Sequence, residues 1–85
     1  MADTYEISWT PAARRALRRL PEKVAAAVIE FIYGPLASNP HRGGKALRLN
    51  LEGLHSARRG DYRVIYRIDT RVAIAAIEHR ADFYR

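Results

Sequence analysis

The stretch Arg58-Arg59-Gly60-Asp61-Tyr62-Arg63-Val64-Ile65-Tyr66 decides how this chain is read. Gly60-Asp61 is a two-residue turn of the kind that joins antiparallel strands with the correct twist. A turn closed there sets Arg59 against Tyr62 and Arg58 directly against Arg63. Like charges paired across a ladder destabilise it by roughly a few tenths to 1 kcal/mol. A third, negative group between them removes that cost. Phosphate suits the position, because arginine presents a planar fork of donors matched to its oxygens. Two side chains fanning into water is the plainer alternative, and the hairpin alone does not choose between them.

Alternation along the second strand then assigns faces. Tyr62, Val64, Tyr66 and Ile68 share one face, which is expected to meet helices. Asp61, Arg63, Ile65 and Arg67 share the other, expected to form an open sheet surface with Arg58 and Ser56, so that Arg63 and Ile65 are exposed on a rigid element.

Upstream, residues 5–9 alternate apolar and polar as a first strand. Thr10-Pro11 pairs an N-cap residue with proline at the first helical position, a helix start. The helix is predicted to reach about Leu20, with Ala13, Ala16, Leu17 and Leu20 as its apolar stripe and Arg14, Arg15, Arg18 and Arg19 on the remainder. Pro21 opens a second helix in which Val24, Val28, Phe31 and Ile32 recur at amphipathic spacing. Gly34-Pro35 is expected to end or kink it, with a last turn through Leu36. Residues 38–44 collect the breakers Asn39, Pro40, Gly43 and Gly44 and read as a flexible loop. Strand-like runs follow at 46–49, 54–59, 62–69 and 71–78. The fold expected is α+β: order β-α-α-β-β-β, with a two-helix hairpin on one face of a mainly antiparallel four-stranded sheet.

Eighty-five residues suffice for one small domain spanning 1–85. The chain holds no cysteine, which excludes disulfides, thiolate metal sites and cysteine nucleophiles. No signal-peptide pattern opens it and no run of about 18 apolar residues occurs, so a cytoplasmic protein with no membrane partner is expected. Fifteen basic residues against nine acidic give a net charge of +6, which favours polyanionic partners. All the basic residues but Lys23 and Lys45 are arginine. Phosphate recognition and a coding bias toward arginine both account for that, so position carries the argument and number does not.

His41, His55 and His79 show no metal-ligand spacing, and no metal or other cofactor is expected. His41 reads as a solvated loop residue and His55, opposite Tyr66, as a satisfied core histidine. His79 ends the last strand beside Arg80. The closing His79-Arg80-Ala81-Asp82-Phe83-Tyr84-Arg85 is either a basic tail or a second source of phosphate contacts near Arg63. Arg14, Arg15, Arg18 and Arg19, with Lys45 and Arg48, are candidates for positioning contacts to a nucleic-acid backbone; a solvated surface is the alternative.

The run from Gly53 to Tyr66, containing Gly60-Asp61-Tyr62-Arg63-Val64-Ile65-Tyr66, followed by His79-Arg80-x-Asp82-x-Tyr84, resembles the RelE/ParE superfamily of bacterial type II toxins, on its RelE-like side. Leu20-Pro21 and Asn39-Pro40 fit the same pattern. The resemblance implies the RelE-like microbial RNase fold and a metal-independent, ribosome-dependent mRNA endonuclease. Such a toxin cuts messages in the ribosomal A site by attack of the ribose 2′-OH on the adjacent phosphate. It also implies neutralisation by a RelB-like antitoxin and, with that antitoxin, repression of the toxin's own operon, operator DNA being met only through the antitoxin. Carried over by position, Arg63, Arg58, Arg80 and Tyr84 are the catalytic candidates, with His79 as a further proton carrier. Arginine hardly deprotonates in proteins, so the general base stays unassigned. Relatives similar to YoeB use a glutamate and a C-terminal histidine, and Lys45 stands at that glutamate position here. Two other readings remain: a ParE-like inhibitor of DNA gyrase, and an inactive family member that acts only as a binding module.

Overall fold

The structure, a computed structural model, describes residues 4–47 and 53–83. Strand β1 (Ile7–Trp9) leads into helix α1 (Pro11–Arg19). Thr10 caps α1 with its side-chain oxygen, which accepts from the Ala13 N–H at 3.1 Å, and Pro11 occupies the first turn. Leu20 is extended, as a residue preceding proline favours, and α2 (Glu22–Phe31) follows. The disturbance expected at Gly34-Pro35 is a widened π turn, Ile32–Leu36, that carries the coil onward. Proline lacks an N–H and crowds the carbonyl four residues back; the extra residue in the turn relieves both. Ile32 and Leu36 are consequently both fully buried.

The breaker-rich segment is not a plain loop. It holds a short helix, α3 (Pro40–Gly43), capped by the Asn39 side chain, which accepts from the Arg42 N–H. The same Asn-Pro pair that reads as a breaker is a cap followed by a first-turn proline. Strands β2 (Lys45–Ala46), β3 (Leu54–Arg59), β4 (Tyr62–Ile68) and β5 (Val72–His79) complete the sheet, and a last turn of helix, α4 (Arg80–Phe83), closes the described chain.

The α+β class is as expected, but the element order gains α3, β2 and α4, and the sheet has five strands, in the order β1-β5-β4-β3-β2. The extra member is β2, two residues long, at the edge beside β3. At the opposite edge β1 runs parallel to β5; every other pairing is antiparallel. Gly60, at φ 61°, supplies the positive dihedral that the first position of a primed hairpin turn requires.

Helices cover one face. Ala13, Val28, Phe31, Ile32 and Leu36 meet Ala57, Val64, Tyr66, Val72, Ile74 and Ile77 in a single core cluster. At its centre the Tyr66 hydroxyl donates to the Pro40 carbonyl at 2.6 Å, and burial pushes the phenol up to about 12. Gly44 lets the chain pass close to that hydroxyl and to the Ser56 carbonyl, where a Cβ would collide.

One irregularity positions everything that follows. From the turn, Ile68 pairs with Val72, Arg67 with Ala73 and Tyr66 with Ile74; then the register shifts and Ile65 pairs with Ala76. Ala75 is the extra residue of a bulge. Thr10 satisfies it: its hydroxyl donates to the Ala75 carbonyl at 2.9 Å while its own N–H donates to the Ile74 carbonyl at 3.0 Å.

Candidate functional site

The hairpin sets Arg58 opposite Arg63 and Arg59 opposite Tyr62, as its turn dictates. Alternation then separates the two arginines that are adjacent in sequence. Arg59 goes to the helix side and lies over the Phe31 ring, 4.2 Å from its centroid. Arg58 goes to the uncovered face with Arg63. There Arg63 also has a partner on its other side, Glu78 of β5. Its Nε donates to Glu78 Oε1 at 2.8 Å, with the two side chains 28% and 39% exposed. Arg63 is therefore half-buried and ion-paired, and not the fully exposed residue that alternation predicts. Ile65 departs from expectation in the same direction, at only 7% exposed. The register places it between Ser56 and Ala76 across the sheet and between Arg63 and Arg67 along its strand, where arginine stems are long enough to cover it.

Arg80 reaches the same end of the sheet. Its backbone N–H donates to the Asp61 carbonyl at 2.7 Å, and its guanidinium lies 3.7 Å from the Asp61 carboxylate. The turn residue thus pins the start of α4 beside the row Arg58–Arg63–Glu78. Further along the same face Lys45 pairs with Ser56. A depression of about 390 Å³ lined by Arg42, Gly43, Gly44, Lys45, Ser56 and Arg58 runs up to the row. Arg58, Arg63 and Arg80 therefore gather at one end of the sheet, with Lys45 further along the same face.

Other candidates lie elsewhere. His79 pairs with Tyr62, whose side chain packs on the core, so the imidazole belongs to the helix side of the sheet. It meets the Tyr62 ring edge-on at 4.9 Å, and its Nδ1 accepts from the Ala81 N–H at 3.0 Å, capping α4. A histidine and an arginine adjacent in sequence are thus split between faces. Arg14, Arg15, Arg18 and Arg19 are exposed on α1, in the helix layer. Three of them, Arg14, Arg15 and Arg18, line a depression with Trp9, whose indole N–H donates to the Tyr33 hydroxyl at 2.9 Å. Arg48 and Tyr84 lie outside the described residues. His55 stacks on Tyr66 with 5.5 Å between ring centroids, as the pairing predicts, and His41 abuts it edge-on. Its buried Nδ1 has no hydrogen-bond partner among the described residues, so the satisfied histidine expected there is not what the structure holds. Among the described residues no group of three or more His, Cys, Asp or Glu is placed to hold a metal ion, and no helix is long and apolar enough to cross a membrane.

Sequence reading missed Glu78. Its only signal is a register that extrapolation from the β4–β5 turn gets wrong. Continuing the first three pairs sets Ile77 against Arg63 and Glu78 against Tyr62, which sends the carboxylate to the core side. The Ala75 bulge reverses that assignment.

The α+β fold thus carries helices on one sheet face and a cluster of guanidinium groups at the end of the other. Residues 7–84 match the family described as ParE toxin of type II toxin-antitoxin system, parDE. The chain is 60% identical to Toxin RelE of Mycobacterium tuberculosis over 84 residues, covering 95% of this chain and 87% of the relative. It is 51% identical to Toxin RelG of the same organism, covering 95% and 97%. The crystal structure of the RelBE2 toxin–antitoxin complex from M. tuberculosis superposes with a TM-score of 0.88 at 48% identity, covering 96% of this chain and 98% of that one. The chain belongs to the RelE/ParE family and is the toxin of a type II toxin–antitoxin system.

Proposed function

We propose that this toxin is a ribosome-dependent mRNA endonuclease whose site is the uncovered sheet end around Arg58, Arg63 and Arg80. The observation that carries the reading is the direct pairing of Arg58 with Arg63 across the hairpin, with Arg80 held alongside by Asp61. Three cations at one sheet end suit a scissile phosphate that gains negative charge in the transition state. The 60% identity to a protein named Toxin RelE supports the same reading. The ribose 2′-OH attacks the adjacent phosphorus, the P–O5′ bond breaks, and a 2′,3′-cyclic phosphate and a 5′-OH result. Tyr84 protonates the leaving oxygen or stacks on a base. His79, on the other face, acts by fixing the start of α4 and hence Arg80. Lys45 extends the phosphate track past Ser56, with Arg48 continuing it. Arg14, Arg15, Arg18 and Arg19 form a separate, sequence-independent contact to ribosomal RNA. The partner is a RelB-like antitoxin that covers the basic face, and the pair represses its own operon. Co-purification with the product of the neighbouring reading frame checks that partner.

Mapping cleavage ends on a translated message, with and without ribosomes, tests the activity. Wild-type protein cuts only with ribosomes, and Arg63→Ala slows cutting by about 10²–10³-fold, the usual loss for one transition-state donor. Undiminished cutting by a folded Arg63→Ala protein refutes the site. The match to the ParE family favours a second reading, inhibition of DNA gyrase; a supercoiling assay decides it.

A further inference from the structure

The arginines at the sheet end leave the reaction without a base, since guanidinium keeps its proton at any physiological pH. The structure supplies a carboxylate at that place. We propose that Glu78 is the general base that takes the proton of the attacking 2′-OH. The inference rests on the nuclease reading above and deepens it.

Three observations meet on this residue. Glu78 is the direct cross-strand neighbour of Arg63, and its Oε1 accepts from Arg63 Nε at 2.8 Å, so a phosphate held by Arg63 lies one guanidinium away from the carboxylate. The nucleophile in this chemistry is the 2′-hydroxyl, on the carbon next to the one that bears the phosphate's 3′-oxygen, so whatever binds the phosphate edge also sits beside the nucleophile. The carboxylate is 39% exposed on the uncovered face, and not sealed in the core. Lastly, a bulge places it there: regular pairing through Ala75 would turn the carboxylate to the helices and Ile77 to solvent.

The proton inventory closes. The Glu78 carboxylate accepts the 2′-OH proton as the O2′–P bond forms and the P–O5′ bond breaks. The O5′ leaves with the Tyr84 phenolic proton, and the Glu78 carboxyl proton returns to the phenolate through water. No metal or outside reagent is consumed. Arg63 of β4 stands against the carboxylate, with Arg58 of β3 beyond Arg63 and Arg80 of α4 beside Asp61 of the hairpin turn; His79 follows it on β5 but on the other face.

Single-turnover cleavage on programmed ribosomes tests the assignment. Glu78→Gln keeps an oxygen to accept from Arg63 Nε but cannot take a proton. It is expected to bind ribosomes as tightly as wild type while cutting about 10²–10³-fold more slowly, within the range general bases provide. Glu78→Ala is expected to regain rate in proportion to added formate, a small carboxylate able to occupy the gap; a purely positioning residue gives no such response. Circular dichroism and antitoxin binding establish that both variants are folded. Glu78→Gln cutting within threefold of wild type overturns the assignment. So does a slow Glu78→Ala that formate leaves unchanged, because Glu78 then only orients Arg63. Both results leave the nuclease reading standing, whereas a wild-type protein that cuts no translated message removes that reading and this one together.

Discussion

Tyr66 shows how a single residue ties the layers of this protein together. Its ring fills the core against the helices, and its hydroxyl crosses to the Pro40 carbonyl at the start of α3. Tyr66→Phe keeps the ring and strands that buried carbonyl, a loss of about 1–3 kcal/mol. Urea denaturation should show a lower midpoint with an unchanged slope. The phenol's folded-state value of about 12 lies above its unfolded value of 10. The unfolded chain therefore releases the proton first as pH rises. The stability this group contributes is complete below pH 10 and is lost between 10 and 12, on the order of 3 kcal/mol. The Tyr66→Phe protein should lack that component when the two denaturation curves are compared across the window. The pairing of Tyr66 with His55 was legible from the hairpin turn; its bond to Pro40 was not, because nothing local joins residues 26 positions apart.

Among the elements, β5 carries most of the consequence. Its parallel pairing with β1 and its bulge at Ala75 are both anchored by Thr10, which caps α1 with one lone pair and binds the bulged carbonyl with its proton. Thr10→Ala removes both bonds and should cost about 1–2 kcal/mol, read as a fall in the denaturation midpoint. Deleting Ala75 should cost a similar amount. Ile74 then runs directly into Ala76, and the pairs Val64–Ile77 and Arg63–Glu78 keep their faces. A cooperative melt is the expected result, and loss of the transition would contradict the account of the bulge. Sequence periodicity located α1, α2, β3 and β4 because each repeats a pattern within itself. It missed α3, where Asn39-Pro40 serves equally as breaker or as cap and first turn. It also missed the bulge, which answers to Thr10, a residue 65 positions away.

At the scale of the whole molecule, charge is spread over two surfaces with separate expected effects. A net charge of +6 drives association with polyanions, but Arg14, Arg15, Arg18 and Arg19 lie in the helix layer while Arg58, Arg63 and Arg80 lie at the uncovered sheet end. Replacing the four helix arginines by glutamine should weaken ribosome binding and flatten its salt dependence, each lost phosphate contact reducing the slope by about 0.7–0.9. The cutting rate at saturating ribosomes should stay close to wild type; a collapse of that rate would move the reaction to the helix side. The sequence alone determined the hairpin, the pairing of Arg58 with Arg63, the helix starts and the basic character, because turns, caps and alternation act over a few residues. Tertiary structure alone decided that Glu78 stands beside Arg63, that Arg80 is held by Asp61, and that His79 turns to the other face. Those placements depend on a strand register set by contacts between distant segments, and a shift of one residue in that register is enough to change which chemistry meets at the surface.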